Sequence, residues 1–366
     1  MTESRNQSGI KRENLPMGVG RFSALKVFVP LLIGLVLLFV VSISQGSVRI
    51  PIGEVAKILV GQPAARDTWT TIVLNFRLTK SLTAVLVGAA LSVSGLQMQT
   101  LFRNPLADPF ILGINSGASL GVALVILSIG TTGAYLLAGL GAFGDLSLAI
   151  AASLGAGVVL AVILLVGRKI KNPTTLLILG LMFGYATSAV VSLLIYFSIP
   201  ERIQAYTIWS YGSFAGVTWS QMRVMLPMVL VGLGIAAFLP KALNALLLGE
   251  DYARTMGLNI KRTRFWILVS ASLLAGTVTA FCGPIGFLGV AIPHVSRNLL
   301  KTSDHKVLLP AVIVLGAIAA LLADGIAQLP GSQFVLPINV ITSLFGAPFV
   351  LWVVLKKKRG ATSFTV

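Results

Sequence analysis

Side chains that could carry acid–base or metal chemistry are few in this sequence, and they form no recognised pattern. His294 and His305 are the only histidines, Cys282 is the only cysteine, and 11 acidic residues are spread over 366 positions. No HExxH or CxxC spacing occurs, nor a glycine-rich phosphate loop that ends in Lys-Ser or Lys-Thr. We therefore expect no catalysis, no metal site and no bound cofactor in this chain, and we interpret His294 as a structural histidine.

The composition is that of a membrane protein. Hydrophobic residues make up 56% of the chain and charged residues only 11%, with a mean hydropathy of +0.92, whereas soluble proteins average roughly 25% charged residues. The net charge of +17 could suit nucleic acid, but the basic residues form short clusters between apolar runs and no stripe with interleaved aromatics. We therefore predict contact with membrane lipid and none with nucleic acid.

Apolar runs of about 17 to 25 residues, the length that crosses a bilayer, follow one another along almost the whole chain. The ten predicted spans are 24–44, 81–101, 110–130, 147–167, 174–198, 222–247, 265–282, 286–300, 307–327 and 336–355. The expected fold class is all-α, a polytopic membrane protein with about ten transmembrane helices. One domain at 23–356 holds them, between cytoplasmic tails at 1–22 and 357–366.

The basic residues orient these spans, because cytoplasmic loops carry an excess of Lys and Arg. With the N-terminus inside, the cytoplasmic side receives the basic clusters at 5–26, 168–171, 254–264, 297–306 and 356–359. The outer side keeps chiefly Lys57, Arg66, Arg77, Lys80, Arg202 and Arg223. We predict that both termini lie in the cytoplasm.

The most charged segment between two apolar runs, LGEDYARTMGLNIKRTR at 248–264, predicts a short cytoplasmic helix. Leu248, Tyr252 and Met256 recur at i, i+4 and i+8 and would form one apolar edge. Such a helix, held at both ends by membrane spans, suits insertion into a groove on a soluble partner. A solvated turn that lies on the membrane surface is the alternative.

Local signals set the expected ends of this helix. Acidic residues begin it, Arg254 lies in its last turn, and Gly257 follows just beyond, a pattern typical of a helix of about two turns. Glu250 and Arg254 stand at i, i+4, so we expect them to form an ion pair on a second face.

Polar side chains in or beside the spans are candidates for a transport path. These are Gln97, Gln99, Asn115 and Ser116. Exposure to lipid would leave their polar groups unpaired. Each therefore faces either a watery cavity between subunits or a hydrogen-bond partner on another helix, and both readings stay open.

The acidic residues also bear on the energy source for transport. Ion-coupled porters place carboxylates or histidines inside their spans, whereas the acids here fall in loops or near span ends. Transport driven by a docked ATPase is therefore favoured. An ion-coupled secondary transporter that works without an ATPase is the alternative.

Five segments, taken in order, resemble the FecCD family, the permeases of ABC importers for iron-siderophores, haem and vitamin B12. They are RLTKSLTAVLVGAALSVSGLQMQTLFRNPLADPFILGINSGASLG at 77–121, LGEDYARTMGL at 248–258, GPIGFLGVAIPHVSRNL at 283–299, DHKVLLP at 304–310 and LPINVITSLFGAPFVLWVVLKKKR at 336–359. Several ordered motifs over nearly the whole chain make this resemblance specific.

The resemblance implies the type II ABC importer permease fold and a subunit that works within a complex. A second permease copy or a paralogue would pair with it, two cytoplasmic ABC ATPases would bind ATP-Mg, and an extracytoplasmic substrate-binding protein would deliver the cargo. The chain would then be a non-catalytic subunit in the cytoplasmic (inner) membrane of a bacterium. Its cargo would be a bulky metal chelate, with a ferric siderophore as first choice and haem and cobalamin close behind.

The resemblance also assigns residues to roles. The segment at about 248–258 matches the coupling helix of the family, which sits in a cleft of the ATPase. Its members here are Leu248, Gly249, Glu250, Asp251, Tyr252, Ala253, Arg254, Met256 and Gly257. At the outer face, Arg77 and Lys80 would meet acids on the binding protein. The family pattern Arg-Leu-Pro-Arg has Thr79 in place of its proline here, and Gln328 stands where members often carry arginine, so we expect an altered docking pattern.

Overall fold

A computed structural model describes residues 21–128, 142–167, 173–328 and 335–361, and this part of the chain is helical without a strand. Its helices are α1 (Arg21–Ser44), α2 (Ile52–Leu59), α3 (Asp67–Leu101), α4 (Ile114–Ser128), α5 (Ala142–Gly167), α6 (Pro173–Tyr196), α7 (Pro200–Ser210), α8 (Trp219–Ala237), α9 (Pro240–Leu247), α10 (Glu250–Thr255), α11 (Ile260–Cys282), α12 (Leu288–Leu300), α13 (His305–Ala327) and α14 (Ile338–Ala361). Residues 1–20 and 362–366 of the expected tails, and the basic cluster at 168–171, lie outside the described residues.

Seven of the described helices are long and apolar enough to cross a bilayer: α1, α3, α5, α6, α8, α11 and α13. Shorter apolar helices occur within α4 and α14, at Ile114–Leu127 and Ile338–Trp352. Together with α12 they account for the ten predicted spans. The expected all-α polytopic fold class is therefore confirmed.

Two predicted span boundaries were wrong. The span predicted at 222–247 is broken, since α8 ends at Ala237 and a new helix, α9, starts at Pro240. Proline lacks the N–H that a continuing helix needs and fits the first helical position. The span predicted from residue 81 begins earlier, because α3 runs from Asp67 through a π-helical segment, Ile72–Arg77.

The α3 helix is the central element, buried along nearly its whole length from Thr79 to Leu101. It packs on α8, α11, α12 and α13. Glycines allow the closest approaches, since a Cβ on Gly88 would overlap the carbonyl of Gly316 in α13, and one on Gly95 would overlap the carbonyl of Gly289 in α12. Helices pack in lipid by such small-residue contacts, so α3 fixes the positions of its neighbours.

A second pair of helices, α4 and α5, is joined in the same way. A Cβ on Gly121 would overlap the carbonyl of Ala151, and Gly117 and Gly155 face each other across the same contact. The core that includes α4 and α5 continues through α9, α10 and the start of α11. The short helices α9 and α10 are thus packed onto the bundle and do not form a separate unit.

Candidate coupling helix and transport path

The predicted cytoplasmic helix is present as α10, from Glu250 to Thr255, and glycines bound it at both ends. Gly249 has a φ of 115° and Gly257 a φ of 83°, values that side chains with a Cβ rarely adopt. At the C-terminus, the Gly257 N–H donates to the Arg254 carbonyl at 3.0 Å and the Leu258 N–H donates to the Ala253 carbonyl at 3.0 Å. This pair of bonds is the Schellman motif, which ends a helix sharply.

One side of α10 is buried against the bundle, and the opposite side is exposed. Ala253 is fully buried and shares a core with Leu243 and Ile260. The three residues of the predicted apolar edge are exposed, Leu248 by 62%, Tyr252 by 55% and Met256 by 61%. An apolar row of this kind at a helix edge, outside the membrane spans, is a surface suited to a protein partner.

The ion pair of Glu250 differs from the one expected. Glu250 Oε1 accepts from Arg264 Nη2 at 2.7 Å, and both side chains are largely buried, whereas the i, i+4 spacing predicted Arg254 as the partner. Arg264 lies in the second turn of α11, so the pair ties the N-terminus of α10 to the following membrane helix. The basic cluster from Lys261 to Arg264 was a sequence signal for this contact, and the local periodicity rule selected the nearer arginine instead.

Arg77 and Lys80, the two residues predicted to meet a binding protein, are almost fully buried within this chain. Arg77 is 5% exposed and donates hydrogen bonds to the carbonyls of Ile43 and Ser44 at the end of α1 and of Val48 in the turn that follows. Lys80 is 7% exposed and pairs with a carboxylate of α13. The early start of α3 carries both cations into the bundle, where they are already bonded within the chain. Contact with a partner through these residues stays a prediction.

Two of the candidate path residues face other helices of the same chain. Gln97 is fully buried and its Nε2 donates to Ser270 Oγ of α11 at 2.9 Å. Gln99 is 3% exposed, and its Oε1 accepts from Arg297 Nη1 of α12 at 2.6 Å. In this subunit both side chains form interhelical hydrogen bonds, which was the second of the two readings left open.

The other two candidates lie at the start of α4 and are half-buried. Ser116 faces α6, where its Oγ would lie 3.4 Å from a Cβ on Gly184. The Oδ1 atom of Asn115 has no hydrogen-bond partner among the described residues. A buried amide oxygen without a partner is costly in lipid. The buried Oε1 atom of Gln97 also lacks a partner among the described residues. A watery path along Asn115, Ser116 and Gln97 therefore stays a prediction.

Relatives of known function match this architecture. Curated relatives include the vitamin B12 import system permease proteins BtuC of Citrobacter koseri and of Salmonella typhimurium strain LT2, each 38% identical over 287 residues, which is 78% of this chain and 84% of theirs. A solved structure described as the inward-facing conformation of a metal-chelate type ABC transporter is 30% identical with a TM-score of 0.78, covering 91% of this chain and 99% of that one.

A more distant structure, PsaBC from Streptococcus pneumoniae in complex with Fab, is 17% identical with a TM-score of 0.50, covering 81% of this chain and 94% of that one. At that identity it supports the fold alone. The model of the FecCD transport family matches residues 34–356, which include all ten predicted spans except the first ten residues of the first span. The chain therefore belongs to the FecCD transport family.

Proposed function

We propose that this chain is the membrane permease subunit of an ATP-binding-cassette importer for a bulky metal chelate. The observation that carries the proposal is the bare apolar edge of α10, formed by Leu248, Tyr252 and Met256 on a helix whose other side is anchored in the bundle. Membership of the FecCD family and the similarity to the vitamin B12 permeases support it.

In this proposal a cytoplasmic ATPase receives α10 in a groove. The α10 helix must be held firmly on the bundle. When the ATPase closes around ATP and displaces α10, the membrane helices can follow only if α10 does not shift relative to them. The Glu250–Arg264 ion pair and the buried Ala253 supply two such attachments. The assembly would contain a second permease subunit, two ATPases with ATP-Mg, and an extracytoplasmic binding protein. The permease itself would catalyse no reaction.

Cobalamin is the first substrate to test, because vitamin B12 is the cargo named for the curated relatives. Ferric siderophores and haem belong to the same chemical class of large metal chelates. Family membership favours ATP-driven over ion-coupled transport.

The test is reconstitution of the permease with its partner ATPase and binding protein in proteoliposomes. We expect uptake of labelled cobalamin that requires ATP and is lost when the ATPase carries a substituted Walker A lysine. Uptake of a ferric siderophore or haem in place of cobalamin would keep the transporter class and change the substrate. Uptake that continues without the ATPase and stops when ionophores collapse the ion gradients would overturn the proposal.

A further inference from the structure

A hydrogen-bonded cluster joins α9, the helix directly before α10, to the first turn of α13. Asn244 Nδ2 donates to Asp304 Oδ1 at 2.6 Å, and Asn244 Oδ1 accepts from the His305 backbone N–H at 2.8 Å. The same Oδ1 lies 2.7 Å from His305 Nδ1. A backbone N–H only donates and a carboxylate only accepts, so the orientation of the amide is fixed and Nδ1 carries a hydrogen.

The cluster continues from His305 into the central helix. The buried His305 ring places its Nε2 atom 2.8 Å from Thr100 Oγ1, in the last turn of α3. The neighbouring Gln99 holds Arg297 of α12. Asp304 is also the N-cap of α13, since its Oδ1 accepts from the Lys306 N–H at 2.9 Å. One asparagine on α9 thus reaches the cytoplasmic ends of α13 and α3.

The α9 and α10 helices form a hairpin that should move as one body. Only Leu248 and Gly249 separate them, and Leu243, Leu246 and Ala253 lie in the same buried core. Apolar contacts are not directional and permit sliding, whereas hydrogen bonds fix both distance and angle. Asn244 is therefore the place where the position of the hairpin relative to α13 is set.

We propose that Asn244 and His305 are positioning residues that form the joint through which a displacement of α10 reaches α3 and α13. The inference rests on the proposed function, since it needs an ATPase that moves α10. It gives a role to the DHKVLLP segment at 304–310, whose aspartate and histidine supply two of the bonding groups. Neither residue need touch cargo or nucleotide.

The first test measures movement without any cargo. In the permease–ATPase complex in lipid nanodiscs, spin labels are placed at Lys241 on α9, which moves with α10, and at Ile326 near the far end of α13, both of which are exposed. With an intact joint, addition of ATP and vanadate moves the two labels together and changes their separation little. Asn244→Ala should enlarge the ATP-dependent change, and an identical change in both proteins would overturn the proposal.

The second test measures coupling, with cobalamin as the probe and, if wild-type vesicles do not take it up, ferric hydroxamate. We expect Asn244→Ala to lower uptake per ATP hydrolysed by about tenfold or more, the size expected for one lost charge-assisted hydrogen bond, while the ATPase still co-purifies. Asn259→Ala is the matched control, because it removes a single cap bond to the Arg262 N–H at the start of α11, outside the cluster.

Asn244→Asp keeps the test decisive if the alanine variant fails to fold. The new carboxyl lies against Asp304, with His305, Arg297 and Lys306 as the other charged or titratable groups nearby. At about pH 6 the two carboxyls can share one proton and keep the bond, whereas at about pH 8 both are ionised and repel. Relative to wild type at the same pH, uptake per ATP by this variant should fall as the pH rises from about 6 to about 8. A pH profile parallel to that of wild type would overturn the proposal.

The two failures are distinguishable. Failure of the wild-type chain to bind an ATPase would contradict both the proposed function and the role proposed for Asn244 and His305. Normal ATPase binding and transport by the wild-type chain, with the same label movement and uptake per ATP in the Asn244 variants, would contradict only the role proposed for Asn244 and His305.

Discussion

The Lys80 Nζ atom lies 2.8 Å from Asp324 Oδ2, and both side chains are almost completely buried, at 9% and 6% exposure. The pair joins the central helix α3 to α13. Ser42 of α1 lies beside it, with its hydroxyl 3.4 Å from the same carboxylate oxygen and 2.8 Å from Ser81. Three helices therefore meet at one neutralised pair of charges inside the bundle.

Removal of one partner from this pair should destabilise the protein strongly. Lys80→Met leaves a buried carboxylate without its cation, and we expect a loss of about 3–5 kcal/mol in the free energy of unfolding. The matched control is Lys57→Met, which removes a cation that is 53% exposed from its pair with Glu54 and should cost about 0–1 kcal/mol. The measurement is thermal unfolding of the purified permease in detergent.

The double variant Lys80→Met with Asp324→Leu separates charge from packing. Replacement of both charges by apolar groups leaves no unpaired buried charge. Much of the free energy of unfolding lost in Lys80→Met should therefore be regained. A double variant no more stable than Lys80→Met would show that the cation acts through contacts other than the pair.

The glycine contact between α3 and α13 predicts a steric effect. A methyl group at Gly88 would overlap the Gly316 carbonyl, whereas a methyl group at Gly157 meets nothing within 4 Å. Gly88→Ala should therefore lower stability by at least about 1–3 kcal/mol, and Gly157→Ala should be neutral or stabilising by up to about 1 kcal/mol. Fluorescence-detected size exclusion after heating measures both variants, and equal melting temperatures would contradict the close approach.

The apolar edge of α10 predicts how the ATPase binds. Tyr252→Asp or Met256→Asp should weaken ATPase binding by at least about 2 kcal/mol, since apolar contacts at the centre of an interface carry most of its energy. Changes at the polar rim, formed by Glu250, Asp251 and Arg254, should cost less.

Val60→Asp is the control for these variants, because Val60 is 77% exposed on the predicted outer side. Co-purification of the tagged ATPase gives the affinity and vesicle uptake gives the function. Full ATPase binding by both α10 variants would leave the helix as a surface turn without a coupling role.

The orientation of the chain predicts labelling from opposite sides. A cysteine at Arg66, in the loop before α3, should react with an impermeant thiol reagent in intact cells, and a cysteine at Lys261 should react only after the membrane is opened. Both positions are exposed, and the native Cys282 is buried, so background labelling should be low. Reaction of both sites in intact cells would reject cytoplasmic termini.

The short helix α10 and its exposed apolar edge could be predicted from the sequence because their signals are local. The spacing of Leu248, Tyr252 and Met256, and the glycines at 249 and 257, lie within a few residues of one another, and the structure shows the matching exposed edge and glycine boundaries. The helix break at Pro240 was also locally visible, but the predicted span followed average apolarity and ran through the proline.

The interior polar pairs could not be predicted, because their partners lie far away in the chain. Lys80 was interpreted as an outer loop residue, because the predicted span began at residue 81 and the charge pattern placed that end outside. Its partner Asp324 becomes visible only once α3 and α13 are packed together. The same holds for Asn244 and His305, which are 61 residues apart.

The buried pair of Lys80 and Asp324 has a consequence for biogenesis. Roughly 240 residues separate the two, so at about 5–20 residues per second the ribosome finishes Lys80 some tens of seconds before its counter-ion exists. During that interval the cation within α3 must stay at the membrane interface, in the insertion machinery or under a chaperone, because hydrocarbon alone is costly for it. Final seating of the central helix is therefore a late event in synthesis, delayed until α13 has entered the membrane.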